Sequence, residues 1–269
     1  MALGFSVEAL LPQARVEGPL RMGLVRLSQD EWLDPSPKLA ARAAAFDAHP
    51  GSVLVRPEAE PAIAELAQLL GVEGGLEACA RAVWEDLCVM VQAEPGGPFH
   101  LAAAAVAFPT DWRLEEKMGQ AVHAIHTPID GYADALSSGV DKFMDGLQSF
   151  NIFGRTNAFV VASDDLRYLP KDPPETRFAH VTPDNAGEAL YVRCEREALR
   201  RLRKSRAIVF TIGIYRTALG TLSDAGVARI ARSVEGFGGS ELARRAGGHY
   251  GAALSAYASQ RDKARAVQG

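Results

Sequence analysis

The stretch from Trp84 to Pro128 holds most of the side chains in this chain that are suited to chemistry. His123 and His126 stand three residues apart, a spacing that puts both on one face of a helix. Such a pair can approach a metal, yet no third ligand completes a zinc set nearby in the sequence. Thr127-Pro128 follows His126 directly and fixes the chain's exit, which makes His126 a good position for a haem axial ligand. A histidine that merely ends a helix is the open alternative. Upstream, F-P-T-D-W-R-L-E-E-K-M-G (Phe108 to Gly119) sets Trp112 beside Arg113 at a strand-to-helix corner, where Asp111 is placed to cap the helix. Arginine offers a planar fork for a carboxylate and tryptophan an apolar wall, a combination suited to a flat ligand bearing acids. A packed aromatic with a salt-bridged arginine accounts for the same residues. Further on, Glu195 follows an apolar run, and Tyr215 ends another. A carboxylate there can meet an ammonium with the Tyr215 ring closing over it, or it can pair with Arg193 or Arg196 at the surface.

The elements that must position these residues are legible in part. Glu94-Pro95-Gly96-Gly97-Pro98 separates the apolar runs Leu87 to Val91 and Phe99 to Phe108, which predicts a hairpin with a long loop. Gly131 to Leu147 carries Tyr132, Leu136, Val140, Phe143 and Leu147 at helical steps. Ala158 to Ala162, Leu190 to Cys194 and Ala207 to Tyr215 read as strands, the last β-branched enough to be central. Helical patterns lie to either side. Ile63, Leu66 and Leu70 form one such face, closed by Gly71, and a tail from Ser240 to Arg265 forms another, with Ser240 as its cap and Arg244 and Arg245 as surface charge. Residues 1–37 read as a loop-rich leader and 38–269 as one domain. The expected class is α+β, a mostly antiparallel sheet with helical N- and C-terminal extensions.

Composition excludes several functions. With 48% apolar and 23% charged residues, the 269-residue chain reads as globular. Its net charge of −4 argues against a nucleic-acid binder. The run Arg196, Arg200, Arg201, Arg203, Lys204 and Arg206 is expected as a solvated edge, the alternative being a patch that holds anionic groups. Cys79, Cys88 and Cys194 show no paired spacing and fit free thiols in a reducing compartment, with the first two in the core. No segment approaches the roughly 20 apolar residues that span a bilayer, and no signal-peptide pattern is present, so the expectation is a cytoplasmic protein without a membrane segment. No dinucleotide fingerprint, P-loop or nucleophile elbow occurs.

Six blocks, taken in order, resemble a known family. They are M-G-L…E-W-L (Met22 to Leu33), E-D-L-C-V-M (Glu85 to Met90), the Phe108 to Gly119 block, A-I-H-T-P-I-D-G-Y (Ala124 to Tyr132), R-C-E-R-E-A-L-R-R-L (Arg193 to Leu202) and F-T-I-G-I-Y (Phe210 to Tyr215). This is similar to the haem-dependent oxidative N-demethylases, whose catalytic subunit carries haem in a PAS-like domain. The resemblance implies a haem b monooxygenase that hydroxylates a methyl group of a small secondary amine such as dimethylamine. The carbinolamine then collapses to the primary amine and formaldehyde. It also implies O₂ as oxidant, and electrons from NADPH through FMN and a [2Fe-2S] centre on partner reductase subunits. His126 would be the axial ligand, Trp112 and Arg113 haem contacts, and Glu195 and Tyr215 the distal residues. Glu197, Arg203 and Ala158 depart from the family's pattern, which leaves the amine open, as does a PAS-like haem sensor without turnover, or a scaffold that has lost haem. The oligomeric state is open too.

Overall fold

The computed structural model describes residues 3–14, 22–125 and 138–268. Among them are seven strands: β1 (Val25–Leu27), β2 (Val53–Val55), β3 (Asp86–Gln92), β4 (Phe99–Ala105), β5 (Ile152–Val161), β6 (Tyr191–Arg201) and β7 (Ile208–Ala218). They form one antiparallel sheet in the order β1-β5-β6-β7-β3-β4-β2. The β-branched run in β7 is the middle strand, as its composition predicts, and the β3–β4 hairpin is formed. With helices packed beside this sheet, the chain has the α+β class read from its sequence.

The chain divides into two compact units. The first comprises Met1–Leu3, Leu20–Arg155 and Arg196–Gly213, and the second Gly4–Pro19, Thr156–Glu195 and Ile214–Gly269. All seven strands contribute to the first unit, and β5, β6 and β7 run on covalently into the second.

In the first unit, the helices Glu60–Leu70 and Leu76–Arg81 supply Ile63, Leu66, Leu76 and Cys79 to the core. Pro61 opens the longer helix, where a missing N–H costs nothing, and Gly71 closes it at φ 67, a left-handed conformation that glycine adopts without strain. The hairpin contains an irregularity. Pairing steps from Val89↔Ala103 to Met90↔Leu101, so Ala102 is an extra residue in β4. Phe99 and Leu101 therefore share a face with Ala104 and Val106 despite the odd spacing.

The second unit holds the strand residues 156–161, 191–195 and 214–218. In the helix Asp224–Glu235, Ser223 accepts a hydrogen bond from the Gly226 N–H at 3.1 Å as N-cap, and Val227, Ile230 and Val234 are buried at helical steps. This helix packs on the helix Gly247–Gln268. The C-terminal tail is two helices, not one. Gly239–Arg244 ends before Ala246, which takes a φ of 55, and Ser240 lies inside that helix and not at its cap. Arg245 departs from the surface role expected of it. It pairs with Glu241, donates to the Ala158 carbonyl at 2.5 Å, and lies over the Phe159 and Phe237 rings at 4.4 and 5.1 Å. The leader also has structure: Val7–Leu10 is a short helix, and Glu8 accepts from Ser223.

Candidate functional site

Strand alternation builds one large apolar face in the first unit. Cys88 pairs across the sheet with Ala104 and Phe210, and Met90 with Leu101 and Ile208, so these six side chains share one side. Leu114, Val122, Met144 and Leu147 pack against that side and are buried. A ring of larger side chains around them stays only partly buried: Trp112, Met118, Ile125, Val140, Phe143 and Phe153. Phe143 meets Phe153 edge-on, with centroids 5.3 Å apart. Large apolar groups left half-open on a packed sheet are the ordinary lining of a small-molecule site.

The chain reaches this face through a pinned corner. Asp86 accepts hydrogen bonds from the Ala107 N–H at 2.7 Å and the Phe108 N–H at 3.2 Å. Its carboxylate also pairs with Arg42 at 2.9 Å, where both side chains are almost fully buried. Arg42 in turn donates to the carbonyls of Ala80 and Trp84. The corner that Asp86 fixes leads into Trp112, which joins the apolar cluster, and Arg113, which is exposed and precedes the helix Leu114–Lys117. Asp111 does not cap that helix. It sits at a φ of 55, and the N-cap position falls to Arg113.

Next, Gly119 to Ala121 lie along β4. The Gly119 N–H donates to the Leu101 carbonyl at 2.8 Å, and the Leu101 N–H to the Gln120 carbonyl at 3.0 Å. Gly119 has a φ of 76, a backbone conformation that glycine adopts without strain, and a Cβ there would have to displace the flexible end of the Arg56 side chain. The helix Val122–Ile125 follows, and Lys117 Nζ donates to the Ile125 carbonyl at 3.4 Å. His123 is exposed. His126 is the next residue after Ile125 and lies outside the described residues, as does the first part of the predicted helix, of which Ser138–Gly146 is described.

The basic run is a solvated edge only in part, with Arg203, Lys204 and Arg206 exposed. It forms the end of β6 and the turn into β7, with Arg196 and Arg201 buried and Arg203 exposed in the turn. Arg196 donates to the Trp32 carbonyl at 3.1 Å and to that of Glu31, strapping the E-W-L segment to the sheet. Glu85 holds the same strap by accepting from the Asp34 N–H at 2.8 Å, and its second oxygen has no hydrogen bond among the described residues. Burial pushes the Glu85 carboxyl up to about 7, with the Arg196 charge opposing the rise. An unfolded glutamate ionises near the ordinary value of 4.5, so the folded state holds an extra proton between the two values. Stability then falls as pH rises through that window, by about 3 kcal/mol in all. Glu85→Gln is expected to flatten the denaturant midpoint between pH 5 and 7, and midpoint curves that stay parallel in the variant and wild type would refute it.

Glu195, in the second unit, is 9% exposed and makes no hydrogen bond or ion pair among the described residues. Tyr215 is half-buried, its ring centroid 6.4 Å from that of Phe5. The surface pairing considered for Glu195 is absent among the described residues, and Arg193 donates instead to the Asp165 carbonyl at 3.2 Å. Glu197, two residues on, is paired with Arg155 at 3.2 Å, so the acid introduced there has a counter-charge. Sequence reasoning missed Arg42, Glu85 and Asp86 as structural charges, while Arg201 was named only within the basic run. The signal for Glu85 and Asp86 was a pair of acids set inside a strand-length apolar run.

The face and its corner present a partly buried, largely apolar and aromatic surface. The chain matches the model of the family described as haem-dependent oxidative N-demethylase, alpha subunit-like, over residues 70–254. That span is well over half of the chain, and the protein belongs to this family. Its general function is therefore haem-dependent oxidative N-demethylation, an oxidoreductase chemistry. The residues present fit a haem: an apolar aromatic face lies beside a buried guanidinium, Arg201, whose Nε has no hydrogen-bond partner. Among the described residues no helix is long and apolar enough to cross a membrane.

Proposed function

We propose that this protein is the haem b subunit of a monooxygenase that removes a methyl group from a small secondary amine, with dimethylamine as the reference substrate. The observation that carries this reading is Glu195, a buried carboxylate with no counter-charge among the described residues. A small amine is an ammonium at neutral pH, and it would supply the missing charge. Glu195 is itself buried, so the carboxylate faces little competing water. Tyr215 offers an aromatic face to the same cation.

In this reading His126 would ligate the haem iron, and Trp112 and Arg113 would contact the haem. Bound haem supplies the binding and reductive activation of O₂. Of the chain's own residues, those of the apolar face would exclude water, and Glu195 would pair with an ammonium. One oxygen atom enters that methyl carbon as a hydroxyl, and the other leaves as water with two electrons and two protons. Collapse of the carbinolamine gives the primary amine and formaldehyde. The electrons come from NADPH through partner subunits bearing FMN and a [2Fe-2S] centre, since the chain has no dinucleotide fingerprint of its own.

The antiparallel run β5-β6-β7-β3-β4, with the apolar face on one side, supports a PAS-like domain. Because β5, β6 and β7 pass unbroken between the compact units, we take residues 38–269 as one functional domain. Three free, buried cysteines suit a cytoplasmic location.

The test is formaldehyde release from dimethylamine by the haem-loaded protein with NADPH and reductase. Glu195→Gln is expected to lower kcat/KM about hundredfold, roughly the 3 kcal/mol attached to one partner of a buried charge pair, with the Soret band unchanged. Wild-type turnover in that variant would remove Glu195 from the site. Haem-loaded wild type that releases none from several methylamines would favour the sensor reading.

A further inference from the structure

The first unit contains two deeply buried arginines with opposite electrostatic situations. Arg42 has a carboxylate, Asp86, at 2.9 Å. Arg201, the last residue of β6, is 4% exposed and makes no ion pair among the described residues. Its Nη2 donates to the carbonyls of Met144 and Asp145, at the end of the helix Ser138–Gly146. Those carbonyls lack partners within the helix and carry the negative end of its dipole. The guanidinium also lies over the Phe99 ring, 5.4 Å from its centroid. Dipole and ring stabilise a cation in part, but neither carries a full charge. The nearby Asp145 carboxylate is exposed and takes the Gln92 amide at 2.7 Å. Arg201 Nε is buried with no hydrogen-bond partner. A buried charge left uncompensated is costly, and arginine's fork is matched to a carboxylate.

We infer that Arg201 is an anion-binding residue at the edge of the apolar face, where it takes a carboxylate of the haem. This rests on the haem reading above and adds a residue to it. Phe99 and Met144, which flank the guanidinium, both belong to the apolar cluster, so the cation borders the surface that the flat part of the group would cover. Arg113, the candidate read from the sequence for such contact, is exposed, and a pair formed there is weakened by solvent.

The experiment compares two ligands on the apo full-length chain by Soret titration: haem, and haem with both propionates methyl-esterified. Wild type is expected to prefer the free acid by tenfold or more, the range of a charge-assisted hydrogen bond in a buried setting. Arg201→Gln should bring the ratio of the two dissociation constants close to one, and Arg201→Lys should keep part of the preference. An Arg201→Gln protein that binds both ligands more weakly in the same proportion would overturn the inference, because a guanidinium that only ends a helix predicts that result. If Arg201→Gln does not fold, the lysine variant decides: a ratio equal to wild type overturns the assignment, and a severalfold fall supports it. Wild type that binds both ligands equally well overturns the role of Arg201 alone. Wild type that binds neither at one equivalent overturns the haem reading with it.

Discussion

Replacing His126 with alanine is expected to give a folded protein that no longer takes up haem at one equivalent per chain. The fold should survive because the described residues that lead up to position 126 are pinned by groups of their own. Gly119 and Gln120 are bonded to β4 through their backbones, Lys117 holds the Ile125 carbonyl, and Val122 and Ile125 pack into the apolar cluster. If His126 is the iron ligand proposed above, removing its side chain would take away that ligand and leave the described apolar face in place. Two consequences separate this from general damage. Circular dichroism and the denaturant midpoint of the haem-free proteins should match within about 0.5 kcal/mol, the range of a substitution that disturbs no packing. Added imidazole should restore a Soret band, since the face still attracts the flat part of the group. A variant that binds haem like wild type would move the axial ligand elsewhere in the chain.

Asp86→Ala is expected to be the most damaging single change to stability, at about 3–5 kcal/mol, because it strips a buried guanidinium of its counter-charge. The Ala107 and Phe108 N–H groups lose their acceptor in the same step. Arg42 would remain over the Phe46 and Phe108 rings, at 5.1 and 5.7 Å, with carbonyls as its hydrogen-bond partners. Removing both charges with apolar residues, Arg42→Met with Asp86→Leu, is expected to recover much of the loss, as buried pairs often tolerate joint replacement. The measurement is the chemical denaturation midpoint of the single and double variants. A loss under 1 kcal/mol for Asp86→Ala would mean that the buried pair contributes little. Because Asp86 fixes the corner before Trp112, the single variant should also bind haem more weakly.

Much of the architecture was legible because the signals are local. Five residues of turn chemistry between two apolar runs specify the β3–β4 hairpin, and β-branched composition marks β7 as central. Pro61 and Gly71 mark the ends of a helix by what their backbones can and cannot do. The bulge at Ala102 was not legible. A row of four alanines, Ala102 to Ala105, shows no alternation, and only pairing with Cys88 and Met90 tells which of them face the cluster. Asp111 and Ser240 look like caps by residue type, but the position of the first helical turn is set by packing beyond the local sequence.

The candidate site divides in the same way. Trp112, Arg113, His126, Glu195 and Tyr215 were chosen by residue type and neighbourhood. The structure places Trp112 in the apolar cluster and buries Glu195, which makes no ion pair among the described residues. The charged run from Arg196 to Arg206 was read correctly only at Arg203, Lys204 and Arg206, because a solvated turn and a buried strand can carry the same residues.

By itself the sequence determined the α+β class, the hairpin, the central strand, the free thiols and the blocks that carry the family. All of these depend on residues close together in the chain or on their order. Tertiary structure alone decided which charges are buried and what each one meets: Arg42 with Asp86, Glu85 with the Asp34 N–H, Arg201 with the end of a helix. The energy of a charge depends on its solvent and its nearest opposite charge, and here folding brings both from segments dozens of residues away.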